Sequence, residues 1–313
     1  MAEGVIAIRD LRVRYGETEA VKGLTLEIAR GEVVGLIGPD GAGKTSTLRV
    51  LAGLQRASAG SVVVLGRDAW RHRRALHHVL GYLAQRFALY GDLTVDENVE
   101  FFALLLGVPE WRARRNLLLE RVGLTPFRGR LADRLSGGMR QKLALACSLM
   151  HAPEVLLLDE PTTGVDPVTR REFWRLLADL VADGLTLIIA TPYLDEAERC
   201  SRVVLIHEGG VLADAPPASL PALLPGAIFE VAGEPRAKVP DVLRGVPGVL
   251  EVRPFAARFH VRLESAAGAV ERLGAALAAA GITVEELRQI PAGLEDTFLH
   301  LTRTQRPFQP EAA

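Results

Sequence analysis

Residues Gly38 to Thr45 read "GPDGAGKT" and fit the spacing G-x-x-x-x-G-K-[ST]. Gly38, Gly41 and Gly43, with Ala42 between the last two, let the backbone wrap closely around an anion and turn successive N–H groups toward phosphate oxygens. The helix that follows adds the positive end of its dipole. Lys44 is placed to reach the β- and γ-phosphates, and the Thr45 hydroxyl, next to Ser46, to bind Mg²⁺. Pro39 and Asp40 fill the turn, and Asp40 brings a carboxylate near the phosphates. A second element, "VLLLDE" (Val155 to Glu160), is an apolar strand ending in two acids. Asp159 suits a metal, and Glu160 suits an attacking water that must be oriented and deprotonated. The chemistry implied is binding and splitting of a nucleoside triphosphate with Mg²⁺.

The elements around these residues follow from periodicity. "EVVGLIG" before the cradle is a continuous apolar run, as in a buried parallel strand, and a helix is predicted from Lys44 to near Gly53. "VIAIRDLRVRYG" and "LTLEIARG" alternate as half-buried strands. "TVDE" (Thr94 to Glu97) is a capping-box start, and the pattern stays helical to Met150. Strands and helices alternate again in "EVLLLD", a helix from Pro167, "LTLIIA", a helix from Tyr193, and "RVVLIHEG". This is an α/β core with a mostly helical insertion at about residues 87–150.

"LSGGMRQKLALACSLM" (Leu135 to Met150) adds a second anion-binding helix end, with Ser136 at its N-terminus and Gly137 and Gly138 behind it. Together these motifs resemble the nucleotide-binding subunits of ATP-binding cassette (ABC) transporters over roughly residues 5 to 220, with "LSGGM" departing from the family's LSGGQ at one position. The resemblance implies a P-loop cassette with an N-terminal antiparallel β subdomain, whose signature caps the ATP held by a partner in a head-to-tail dimer. It also implies that Tyr15 stacks on adenine, that Gln85 in "GYLAQ" touches Mg²⁺ and the attacking water, and that Asp166 in "TTGVDP" lies across the dimer interface. The family usually carries "STHYLDEAE", whose histidine contacts the γ-phosphate. Here the stretch reads "ATPYLDEAE", with Pro192 in the histidine's place. Proline has no donor to offer and no proton to carry, so one impaired site is expected, completed by a second cassette on a separate chain or by a homodimer partner. Such division of labour is similar to the first cassette of two-cassette bacterial exporter ATPases of the multidrug type.

"APPASLPALLPG" (Ala215 to Gly226) marks a boundary between a cassette at 1–220 and a second domain at 226–303, with a disordered tail at 304–313. The second domain reads βαββαβ, a small α+β ferredoxin-like unit. It resembles the extension on drug- and antibiotic-export cassettes.

At 313 residues, 49% apolar and 24% charged, the chain is globular, and its net charge of −1 speaks against general nucleic-acid affinity. The arginine clusters "RDAWRHRR" and "WRARR" read as solvated helix faces. Two distant cysteines, Cys147 and Cys200, fit a reducing compartment, and no run is long enough to span a bilayer. The expected location is the cytoplasmic face of the cell membrane, held through a permease that meets the insertion at Phe87, Leu89, Tyr90, Phe101 and Phe102. The leading expectation is an ATPase subunit powering an exporter. An ATP-binding regulator with little hydrolysis, and a soluble cassette ATPase acting on nucleic acid, are the alternatives.

Overall fold

The computed structural model describes residues 4–85 and 89–304, so the tail expected at 304–313 lies outside the described residues except for Thr304, which ends a helix. The described residues fall into two compact units, 4–217 and 218–304. The first opens with β1 (Gly4–Tyr15) and β2 (Thr18–Ala29), paired antiparallel. Ile6 and Ile8 face inward, but so do Leu11 and Val13, of opposite parity. A register shift between Ile8 and Leu11, with Asp10 at φ 46°, resets the alternation. β3 (Val33–Ile37) then runs into α1 (Lys44–Leu51), and β4 (Ala59–Val64) and β5 (Arg67–Asp68) finish the first sheet in the order β2-β1-β4-β5.

The one-turn α2 (Arg73–Leu76) and β6 (Leu80–Leu83) lead to the helical insertion of α3 (Val95–Leu105), α4 (Trp111–Arg121) and α5 (Gly137–Ser148). Thr94 and Glu97 form the capping box that starts α3. The arginines of α4 do more than face solvent. Arg114 donates to the Leu149 carbonyl at 2.7 Å, closing the end of α5, and Arg115 lies 3.4 Å from Asp96.

β7 (Val155–Asp159), α6 (Pro167–Ala182), β8 (Thr186–Thr191), the four-residue α7 (Leu194–Ala197), β9 (Arg202–His207) and β10 (Gly210–Ala215) complete the unit. The central sheet has the order β10-β9-β3-β8-β7-β6, parallel except for β10 at one edge. Strands β7 and β8 are buried at every residue, which is why they read as unbroken apolar runs. The carboxyl ends of β3, β7 and β8 are adjacent, so the turns after Ile37, Asp159 and Thr191 gather in one place.

The second unit consists of β11 (Ala227–Glu234), α8 (Val239–Arg244), β12 (Val249–Phe255), β13 (Arg258–Leu263), α9 (Ala269–Ala279), β14 (Thr283–Ile290) and α10 (Leu294–Thr304). Its sheet is antiparallel, in the order β12-β13-β11-β14. Phe229, Val231, Val261 and Leu263 pack against Leu243, Leu273 and Leu277 of the helices. On the opposite parity Glu230 is buried and accepts from Arg258 at 2.9 Å and Arg288 at 2.7 Å. The helix α10 is an element that periodicity did not single out.

Candidate nucleotide site

The cradle is built from backbone that only glycine tolerates at two points. Gly43 caps α1 at φ 102°, and a Cβ there would lie 2.4 Å from the Ala20 carbonyl oxygen. A Cβ on Gly38 would meet the Ile206 carbonyl oxygen of β9 at 2.0 Å. Gly41 differs from both. Its φ of 80° is left-handed, but no atom stands within 4 Å of where its Cβ would be, so the turn and not crowding calls for glycine there. The loop is thus pressed between β2 and β9 and opens onto a cavity of 420 Å³. Tyr15, Thr18, Ala20, the loop and helix start from Asp40 through Gly41 to Ser46, Gln85 and Glu160 line it. Asp40 is therefore on the cavity wall.

Lys44 is 3% exposed. Its ammonium donates to the carbonyls of Gly38 and Pro39 at 2.8 and 2.9 Å and lies 3.8 Å from Glu160 Oε1. Burial pulls its pKa down, against the opposing pull of Glu160, Asp40 and Asp159. Glu160 is buried too, at φ 50°, a left-handed conformation uncommon for a side chain of its size. Its N–H donates to Ala190 O at 2.8 Å, while Gln85 Nε2 donates to Oε2 at 2.8 Å and Thr163 to the same oxygen at 3.3 Å. One carboxylate is thereby aimed between the cradle lysine and the Gln85 amide.

Asp159, 1% exposed, accepts from Thr45 Oγ1 at 2.9 Å through Oδ1 and from the Tyr82 hydroxyl at 3.2 Å through Oδ2. Burial raises its pKa, opposed by those two hydroxyls and by Arg49 and Lys44. A hydroxyl that donates its proton to a carboxylate keeps lone pairs for a cation. Thr45 and Asp159 bring only oxygen donors and fit Mg²⁺, and Gln85 stands on the wall of the cavity that Thr45 lines.

The family model described as "ABC transporter" matches residues 21–163. The "Daunorubicin resistance ATP-binding protein DrrA2" of Streptomyces coeruleorubidus is 39% identical over 309 residues, covering 96% of each chain. The chain belongs to the ABC transporter ATP-binding proteins. The "Probable multidrug ABC transporter ATP-binding protein YbhF" of Escherichia coli is 46% identical over 233 residues, 73% of this chain, and the match spans 40% of that protein's length. The "Nod factor export ATP-binding protein I" of Paraburkholderia xenovorans is 35% identical over 96% of this chain and 98% of its own. Among solved structures, cbiO1 from Clostridium perfringens, described as part of the ABC transporter complex cbiONQ, superposes with a TM-score of 0.65 at 29% identity. It covers 70% of this chain and 91% of its own.

Other motif residues of the cassette stand elsewhere. Ser136 caps α5, accepting from Met139 N–H at 3.3 Å, with Gly137 opening the helix. Gly138 sits so tightly that a Cβ would meet Thr169 Cγ2 of α6 at 2.2 Å. Asp166 caps α6, accepting from the N–H groups of Val168 and Thr169 at 3.0 Å, and the Thr169 side chain together with these N–H groups holds its carboxyl below the usual range. None of these four lines the cradle cavity among the described residues. Tyr15 does, half-exposed, and its hydroxyl donates to Gln55 Oε1 at 2.6 Å with Ser46 Oγ 3.2 Å away.

At the end of β8 the ladder runs on to Thr191, paired with Ile37, and Pro192 follows at the turn. The Thr191 hydroxyl is buried and accepts from Tyr193 N–H at 3.1 Å, and the Tyr193 ring lies under Arg170. Gln55, Thr163 and Tyr82 were not legible as site residues. Tyr82 alone carried a signal, standing three residues before Gln85 on the short strand that leads to it.

A larger apolar groove of 610 Å³ lies beside the site, lined by Leu54, Tyr82, Phe102, Leu105, Leu106 and His151 among others. Of the residues expected to meet a permease, Phe102 lines it, Phe101 packs edge-on between Tyr90 and Phe102, and Phe87 lies outside the described residues.

Proposed function

We propose that this cassette binds and hydrolyses ATP to power a membrane exporter, working with an integral-membrane permease and a second cassette. The observation that carries the reading is the convergence of Lys44, Thr45, Glu160 and Gln85 on one cavity behind a glycine cradle, with Asp159 bonded to Thr45 behind its wall. Lys44 and the cradle N–H groups bind and orient the phosphates. Glu160 takes the proton of an attacking water that Gln85 holds in line. Thr45 and Asp159 would hold Mg²⁺, which when bound would supply neutralisation of phosphate charge. Export of a drug, antibiotic or lipid-like substrate is favoured by the names of DrrA2 and the Nod factor exporter, relatives along nearly the whole chain.

The distance of Ser136, Gly137, Gly138 and Asp166 from the cassette's own cavity supports a head-to-tail dimer in which they close the partner's site. No helix among the described residues is long and apolar enough to cross a membrane, which suits a peripheral subunit at the cytoplasmic face. For the second unit, spanning the proposed 226–303, the strand order β12-β13-β11-β14 supports a ferredoxin-like fold.

Pro192 gives the site one impaired position. Neither Thr191, whose hydroxyl is buried against Tyr193 N–H, nor Tyr193, stacked on Arg170, offers a substitute for the histidine. Removing one preorganised transition-state contact costs about 10²–10³ in rate, so ATP binding survives while hydrolysis slows. A partner chain with the histidine then makes one fast site. The same proline favours a second reading, a regulatory cassette with little hydrolysis. The test is steady-state ATPase activity of wild type beside Pro192→His. A slow wild type accelerated about tenfold or more by the histidine supports the impaired site. A brisk wild type removes it, and no hydrolysis in either chain supports the regulatory reading.

A further inference from the structure

Tyr82 stands on β6, paired in register with Leu157 of β7, two residues before Asp159. Its hydroxyl reaches Asp159 Oδ2 at 3.2 Å from the side opposite Thr45, whose hydroxyl takes Oδ1 at 2.9 Å. The two donors come from different elements, β6 and the start of α1, and between them fix both the rotation and the tilt of the carboxylate. We infer that Tyr82 is a positioning residue that holds the Asp159 carboxylate in the orientation a divalent cation requires. This rests on the reading of Thr45 and Asp159 as the metal site.

Two points support the assignment. Asp159 is almost fully buried, so it has no bulk water to replace a missing donor. Thr45 must turn a lone pair to the metal and so cannot alone set the second carboxylate oxygen. Ligand-orienting groups of this kind typically change metal affinity about 10–100-fold when removed.

Tyr82→Phe isolates the hydroxyl, because the ring that lines the apolar groove remains. Two titrations of the full chain test it. ADP affinity is measured in EDTA by calorimetry, and Mn²⁺ affinity of the ADP-loaded chain by electron paramagnetic resonance. The expected result is Mn²⁺ binding weakened about tenfold in Tyr82→Phe, with ADP affinity in EDTA unchanged. Mn²⁺ affinity equal to wild type overturns the inference. So does an equal loss of metal-free ADP binding, which would mark the hydroxyl as a general support of the fold. Wild type that binds both ligands beside an unaltered variant sinks this inference alone. Wild type that binds neither sinks the ATP reading, and this inference with it.

Discussion

Asp159 stands in a place that resists charge. Its folded-state pKa is raised, so the protonated form is the one folding favours, and stability from this group falls as pH rises from the unfolded value through the folded one. Asp159→Asn, to whose carbonyl oxygen one neighbouring hydroxyl still donates, is therefore expected to unfold at a higher temperature than wild type at neutral pH. The gap should close in acid, where wild type is protonated too. Metal-dependent ADP binding should be lost in the same variant. Thermal melts across pH check the first statement, and a Mn²⁺ titration the second. The types and spacing of Lys44, Thr45, Asp159 and Glu160 were readable because phosphate chemistry leaves few alternatives at each position. Tyr82 and Gln55 were not, since a tyrosine or glutamine acquires its partner only when distant strands are brought together.

Elements are joined around the site by a buried carboxylate outside the chemistry. Glu196 of α7 is fully buried and accepts from Trp174 Nε1 at 3.2 Å and from the Thr162 hydroxyl. It thereby ties the turn after Glu160 and helix α6 to the turn after Pro192. Glu196→Ala leaves those donors without an acceptor and should lower stability by about 1–3 kcal/mol. A denaturant midpoint shifted with ADP affinity largely kept is the expected outcome. A loss of ADP binding without loss of stability would contradict it. Sequence reading located α1 behind its glycine cradle, and the capping box at Thr94 and the start of α6 at Pro167, where Thr94 and Asp166 supply the caps. It was poorer where the cause is not local. The helix expected from Tyr193 is only four residues long, because the chain tightens into turns in which Arg199 and Cys200 N–H groups donate to Glu196 and Ala197. The parity reset in β1 depends on one left-handed aspartate, which alternation alone does not reveal.

At the scale of the whole molecule, the proposed head-to-tail pairing makes each site a joint product of two chains. Ser136→Phe spoils what a chain offers its partner and leaves its own cradle intact, whereas Lys44→Met does the reverse. Each variant alone should be inactive. An equal mixture should recover about a quarter of the wild-type sites, since half the dimers are mixed and each of those has one complete site. ATPase assays of the two variants and their mixture read this directly, and no recovery on mixing would argue against shared sites. That division was legible only as a surplus, a second anion-binding helix end with no phosphate of its own to bind.

Cys147 and Cys200 are the chain's only thiols, both buried in the first unit, and burial pushes both well above the ordinary thiol range. A thiolate-seeking dye therefore has nothing to react with until that unit opens. The rate of colour development becomes a clock for breathing of the nucleotide-binding half, which bound ATP should slow. The second unit, silent to the dye, is free to carry a single introduced cysteine as an independent reporter.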